Sequence, residues 1–145
     1  MVDITNAKLG LRLASSHLDI YNILCNEEKL FNSYYHLFSF ALVYGILFNK
    51  KKETKGKQET FVPLSQIIDQ NIRDVIQICY IMLDDGREMK EIFNELLSYA
   101  DGGLMELNQT YKEKKSFMMP NLILDAEKLW VTRVKDMQNI NLTKS

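Results

Sequence analysis

Between Met89 and Tyr111 an apolar or small residue recurs every three or four positions: Met89, Ile92, Phe93, Leu96, Leu97, Ala100, Gly103, Leu104, Leu107 and Tyr111. That spacing is the signature of an amphipathic helix, and it predicts a helix opening at Arg87. Its middle reads Tyr99-Ala100-Asp101-Gly102-Gly103-Leu104. Each interior glycine costs a helix about 1 kcal/mol relative to alanine. The glycines interrupt the composition but not the period, and a break there would shift the phase. The expectation that reconciles the two is a helix whose Gly103 side faces another backbone at close range, where a side chain would clash. A C-cap at Gly102, with a new helix from Leu104, is the competing expectation.

Other segments supply what such a helix packs against. The stretch from Tyr34 to Asn49 is apolar almost all round from Leu37 to Phe48, which predicts a central, buried helix capped by Asn32 or Ser33. Gly45 lies on it, at a place where a neighbouring backbone can come close. A second apolar helix should start near Asp69, turn Ile72, Val75, Ile76, Cys79 and Met82–Leu83 inward, and stop at Asp84-Asp85-Gly86. Upstream, "HLDIYNILCNEEKL" is helical, with Leu18, Tyr21, Ile23, Leu24 and Leu30 on one face. The preceding "TNAKLGLRLASS" reads equally as a strand or a frayed helix. Phe61-Val62-Pro63 should be extended. After Pro120, Asp125 can cap a further helix that packs Leu129 and Trp130 inward.

These readings give a mainly α fold. They describe a single compact helical domain over residues 1–145, of about five helices, with one short extended segment or small hairpin. A basic loop spans 49–60, and residues 139–145 form a loose tail. A chain of 145 residues is the size of one domain with one core. No run reaches the roughly 18 apolar residues of a membrane span, and the N-terminus does not read as a signal peptide. A cytoplasmic protein is therefore expected. Cys25 and Cys79 sit far apart among apolar residues and should be reduced, buried thiols.

Net charge is −1, but it is unevenly spread. Residues 49–60 carry five lysines and two glutamates, and residues 61–111 carry three basic and nine acidic residues. Lys50, Lys51, Lys52, Lys55 and Lys57 are a candidate phosphate contact, without the interleaved aromatics that stack bases. Glu88, Glu91 and Glu95 fall on one helical face, where a divalent cation is conceivable and a solvated row is the ordinary reading. Glu113-Lys114-Lys115 matches a fragment of metal-dependent nucleases, but on a helix end instead of a strand. His17 and His36 lie on different predicted helices without metal-ligand spacing. No nucleophile elbow, Walker motif or dinucleotide fingerprint is present. The expectation is thus a non-enzyme with no catalytic residue, no cofactor and no metal.

The hexapeptide Tyr99-Ala100-Asp101-Gly102-Gly103-Leu104 resembles the "YANGGL" signature of the DNA phosphorothioation (dnd) system-associated protein 4 family. The order of features is similar too. Phe40-Ala41 and Gly45 come first, then the lysine loop, Phe61-Val62-Pro63, and Glu91-Ile92-Phe93 just ahead of the signature. The resemblance covers roughly residues 31–107, and Asp101 stands where that family usually has asparagine. It implies an accessory protein of a prokaryotic anti-phage DNA-modification and restriction system, with other subunits of that system as partners and no catalytic residues to transfer. Two other functions stay open on the residues alone. One is a DNA-binding regulator using Lys50–Lys57 and Lys112–Lys115. The other is a small metal-dependent nuclease subunit using the acidic face. A homo-oligomer is compatible with each.

Overall fold

The computed structural model describes residues 3–52 and 58–114. The chain divides into two compact units, Met1–Asn108 and Gln109–Ser145. All that follows concerns the first, apart from the last residues of one helix. The helix expected after Asp125, and the 139–145 tail, lie outside the described residues.

Ser33 starts the central helix. Its extended backbone and its side-chain oxygen, which accepts from the His36 amide, satisfy one of the otherwise unpaired donors of the first turn. Helix α2 then runs Tyr34–Leu47, and none of its residues is exposed. It ends at Asn49, which takes a left-handed backbone (φ 53°), so that the Lys50 amide reaches back to the Gly45 carbonyl at 2.7 Å. That closure is the usual way to stop a helix and reverse the chain, and asparagine is the residue after glycine that best tolerates it.

Ahead of α2, helix α1 (Leu18–Asn22) passes into a wider helical turn over Ile23–Glu27. The residues it buries are Ile20, Tyr21, Leu24 and Cys25. Leu18, Ile23 and Leu30, expected on the inner face, are only half-buried. After the lysine loop the chain forms β2 (Glu59–Pro63), antiparallel to β1 (Arg12–Ser15). The ambiguous N-terminal stretch is therefore a short 3-10 turn, Ala7–Leu9, followed by a strand. The register steps from Leu13↔Val62 to Ala14↔Thr60, leaving Phe61 as the extra residue. Its ring packs 5.1 Å from Tyr21, 5.9 Å from Tyr34 and 6.1 Å from Phe38, centre to centre.

Asp69 caps α3 (Gln70–Leu83), its carboxylate accepting from the Asn71 and Ile72 amides. Gly86, at φ 91°, turns the chain into α4 (Met89–Lys114). This helix is continuous through Gly102 and Gly103, so the C-cap alternative is excluded. The fold is mainly α: four helices and one two-stranded sheet among the described residues.

Candidate functional site

The residues that interrupt the composition of α4 sit where it is most enclosed. Ala100, Asp101, Gly102, Gly103 and Leu104 are all buried. Five consecutive buried residues cannot share one helix face, so neighbours must lie on more than one side.

On one side is α2. A Cβ built on Gly103 would collide with the Ala41 carbonyl oxygen and sit 2.8 Å from the Gly45 nitrogen. Reciprocally, a Cβ on Gly45 would collide with the Tyr99 carbonyl oxygen and lie 2.9 Å from its carbon. Real Cβ atoms do not approach backbone so closely, and neither helix can shift a carbonyl without losing its own hydrogen bonds. Gly45 and Gly103 thus let α2 and α4 touch main chain to main chain.

Gly102 faces a different neighbour. The reversal at Asn49 lays residues 50–52 across α4, and a Cβ on Gly102 would collide with the Lys50 carbonyl and stand 3.0 Å from the Lys51 nitrogen. This strap is pinned by the Lys52 amide, which donates to the Ser98 carbonyl at 3.1 Å. The adjoining glycines therefore have separate duties, one for α2 and one for the strap.

Asp101 points to a third neighbour. Its carboxylate, 1% exposed, accepts from the Ser15 hydroxyl at 2.5 Å and from the Ser16 amide at 3.3 Å. Ser15 Oγ in turn accepts from the His17 amide at 3.0 Å, joining the end of β1 and the start of α1 to α4. Burial pushes the Tyr21 phenol far above its ordinary range, and the nearby Asp101 charge adds to the effect. The partners Ser15, Ser16 and Tyr21 were not foreseen from sequence. They lie 80 or more residues from Asp101, and no periodicity links them.

The strap also decides what the lysine loop presents. Lys50 Nζ lies 3.5 Å from Glu106, and Lys51 Nζ lies 3.7 Å from Glu95 and 5.8 Å from the centre of the Tyr99 ring. Lys52 is exposed. Lys55 and Lys57, like Lys115, lie outside the described residues. The acidic row divides as well. Glu88 and Glu91 are exposed, while Glu95 is shared between Lys51 and Arg87. Among the described residues no group of three or more His, Cys, Asp or Glu converges to hold a metal ion. Of the nuclease-like Glu113-Lys114-Lys115, the first two end α4 with side chains that are not among those described, and Lys115 lies outside the described residues.

One further constellation was invisible in the sequence. His36 Nδ1 lies 2.5 Å from Ser33 Oγ, and its Nε2 lies 3.7 Å from Asp69 Oδ2. Serine, imidazole and carboxylate stand in sequence, but each end is a helix cap: Ser33 caps α2 and Asp69 caps α3. The arrangement clips two helix starts together. Both cysteines are free and buried, and burial raises the Cys25 thiol to about 11 and Cys79 further.

With protein-family models, curated proteins and solved structures all compared, the chain matches none.

Proposed function

We propose that this chain is a non-enzymatic accessory protein of a prokaryotic anti-phage defence system linked to DNA phosphorothioation, working in the cytoplasm by contact with other subunits of that system. The observation that carries the proposal is the Tyr99–Leu104 hexapeptide. It is the segment that resembles the family signature, and its buried residues are engaged in packing α4 against α2, the strap and β1. A signature consumed by scaffold construction calls for no reacting group, which favours a binding protein over an enzyme. Lys50 and Lys51 are exposed but stand beside glutamates of α4, which offset part of the charge they would offer a phosphate backbone, and this favours protein contact over the DNA-binding regulator. No described helix is long and apolar enough to cross a membrane.

An affinity-tagged copy expressed in a host carrying such a gene cluster should co-purify with a modification or restriction subunit. Cleavage of plasmid DNA by the purified protein with Mg²⁺, lost on Glu88→Ala or Glu91→Ala, would replace this reading with the nuclease. Tight binding to DNA that weakens steeply with salt would replace it with the regulator.

A further inference from the structure

We propose that the outer face of α3 docks a basic amphipathic helix of a partner protein, an inference that rests on the protein-contact reading above and names the chemistry of the partner. The core side of α3 is formed by Ile72, Ile76, Cys79 and Tyr80. Its outer side carries the exposed Gln70, Asn71 and Asp74 over the first turns and becomes apolar beyond them. Ile78 is 39% exposed, and Val75, Ile81 and Met82 are only half-covered. These four lie at helical steps of three and four, so they form one apolar ridge over two turns, about 10 Å long. Val75 and Met82 were expected to face the core, and the structure leaves them at its edge. At the N-terminal end of α3, Ile68 is 91% exposed. Single exposed apolar residues are ordinary, but an aligned row marks a surface that has a use.

Charge identifies the occupant. Asp74 stands one turn before Ile78, and Asp84 and Asp85 close the C-terminal end; all three are exposed, and Asp85 is paired with Arg87. From Gln58 to Gly86 the one basic side chain is Arg73, and its guanidinium is turned to Thr5, donating to the hydroxyl at 3.1 Å. Arg87, just past that stretch, is held by Asp85 and Glu95. An apolar ridge with Asp74 and Asp84 at its rim, and with Arg73 and Arg87 both engaged elsewhere, is complementary to a helix carrying leucine-like anchors between lysines or arginines. A second copy of this chain would set aspartates against aspartates, and an anionic lipid surface would be repelled.

The test uses a fluorescein-labelled 14-residue leucine–lysine amphipathic peptide as probe, and its leucine–glutamate counterpart as control, in anisotropy titrations with the whole chain. The lysine peptide should bind and the glutamate peptide should not. Ile78→Asp should weaken binding about tenfold, although it adds a negative charge that would tighten a purely electrostatic contact. Asp74→Lys, at an exposed position, should weaken binding and flatten its salt dependence. Far-UV circular dichroism and thermal melts establish that both variants fold. No binding, or binding unchanged or tightened by Ile78→Asp, overturns the proposal. So does concentration-dependent self-association in sedimentation that Ile78→Asp abolishes, because the ridge then belongs to a second copy. If a defence subunit co-purifies equally well with Ile78→Asp, this inference falls while the accessory-protein reading stands. If no subunit co-purifies at all, that reading falls whatever the peptide does.

Discussion

A methyl group decides the sign of the effect at Gly103. Helix propensity alone says that Gly103→Ala should stabilise α4 by about 1 kcal/mol. The Ala41 carbonyl occupying the place of that methyl says the opposite. Overpacking costs about 1–3 kcal/mol where neighbours can adjust, and a helix carbonyl adjusts less readily than a side chain. The expected outcome is therefore a net loss of stability and a lower thermal midpoint for Gly103→Ala, with Gly45→Ala behaving alike for the reciprocal reason. A raised midpoint in either variant would show that the helices are not in main-chain contact. The glycine pair was conspicuous in the sequence because it offended a propensity without disturbing a period. Which backbone each glycine admits was not legible there, since Gly102 and Gly103 differ only in the direction they face on α4.

At the scale of elements, Asp101 joins β1 and α1 to α4. Asp101→Ala leaves the Ser15 hydroxyl and the Ser16 amide without their acceptor in a buried place. The cost should be about 2 kcal/mol or more, because an unmet buried donor loses its full desolvation penalty. Asp101→Asn keeps one carbonyl oxygen as acceptor and should cost less than the alanine. Urea denaturation of the three proteins checks this order, and equal midpoints for Ala and wild type would remove the carboxylate from the set of contacts that hold β1. The helices themselves were well legible. Ser33, one of two cap candidates, caps α2, α3 starts beside Asp69 as expected, and the Asp84-Asp85-Gly86 stop stands where it was expected. The inner face of the first helix was less so. Leu18 and Ile23 were assigned to the inner face, yet both are half-buried while Ile20 is buried, and the turn over Ile23–Glu27 is wider than the α-helical one assumed there.

For the whole molecule, the buried acids set the response to alkali. Burial raises the folded-state values of Cys25, Cys79 and Tyr21. A group whose value is raised on folding leaves stability untouched below its unfolded value, about 8.5 for cysteine and 10 for tyrosine. Above that point the unfolded chain gives up a proton that the folded one keeps, and stability falls as pH rises. The urea midpoint should be level from pH 7 to about 8.5 and decline through pH 11. Cys25→Ala should make that decline shallower, whatever it does to the midpoint at neutrality. A midpoint that rises or stays flat above pH 9.5 would mean that these groups are open to water.

Periodicity and capping chemistry act within a few residues of chain, so the sequence by itself determined that the described region is mainly helical, where its longer helices begin, and that the period of α4 runs on through its glycines, without deciding whether they cap a helix or admit a neighbour. What they meet was settled only by the tertiary structure. The Gly45–Gly103 contact, the strap over Gly102, the Ser15–Asp101 bond and the pairing of lysines with the glutamates of α4 join residues distant in the chain. Such contacts depend on how helices pack and where loops return, and no local spacing encodes that. The same packing left Val75, Ile78 and Met82 at the edge of the core, because a helix period marks which residues are apolar while only the neighbours' placement decides which of them are covered.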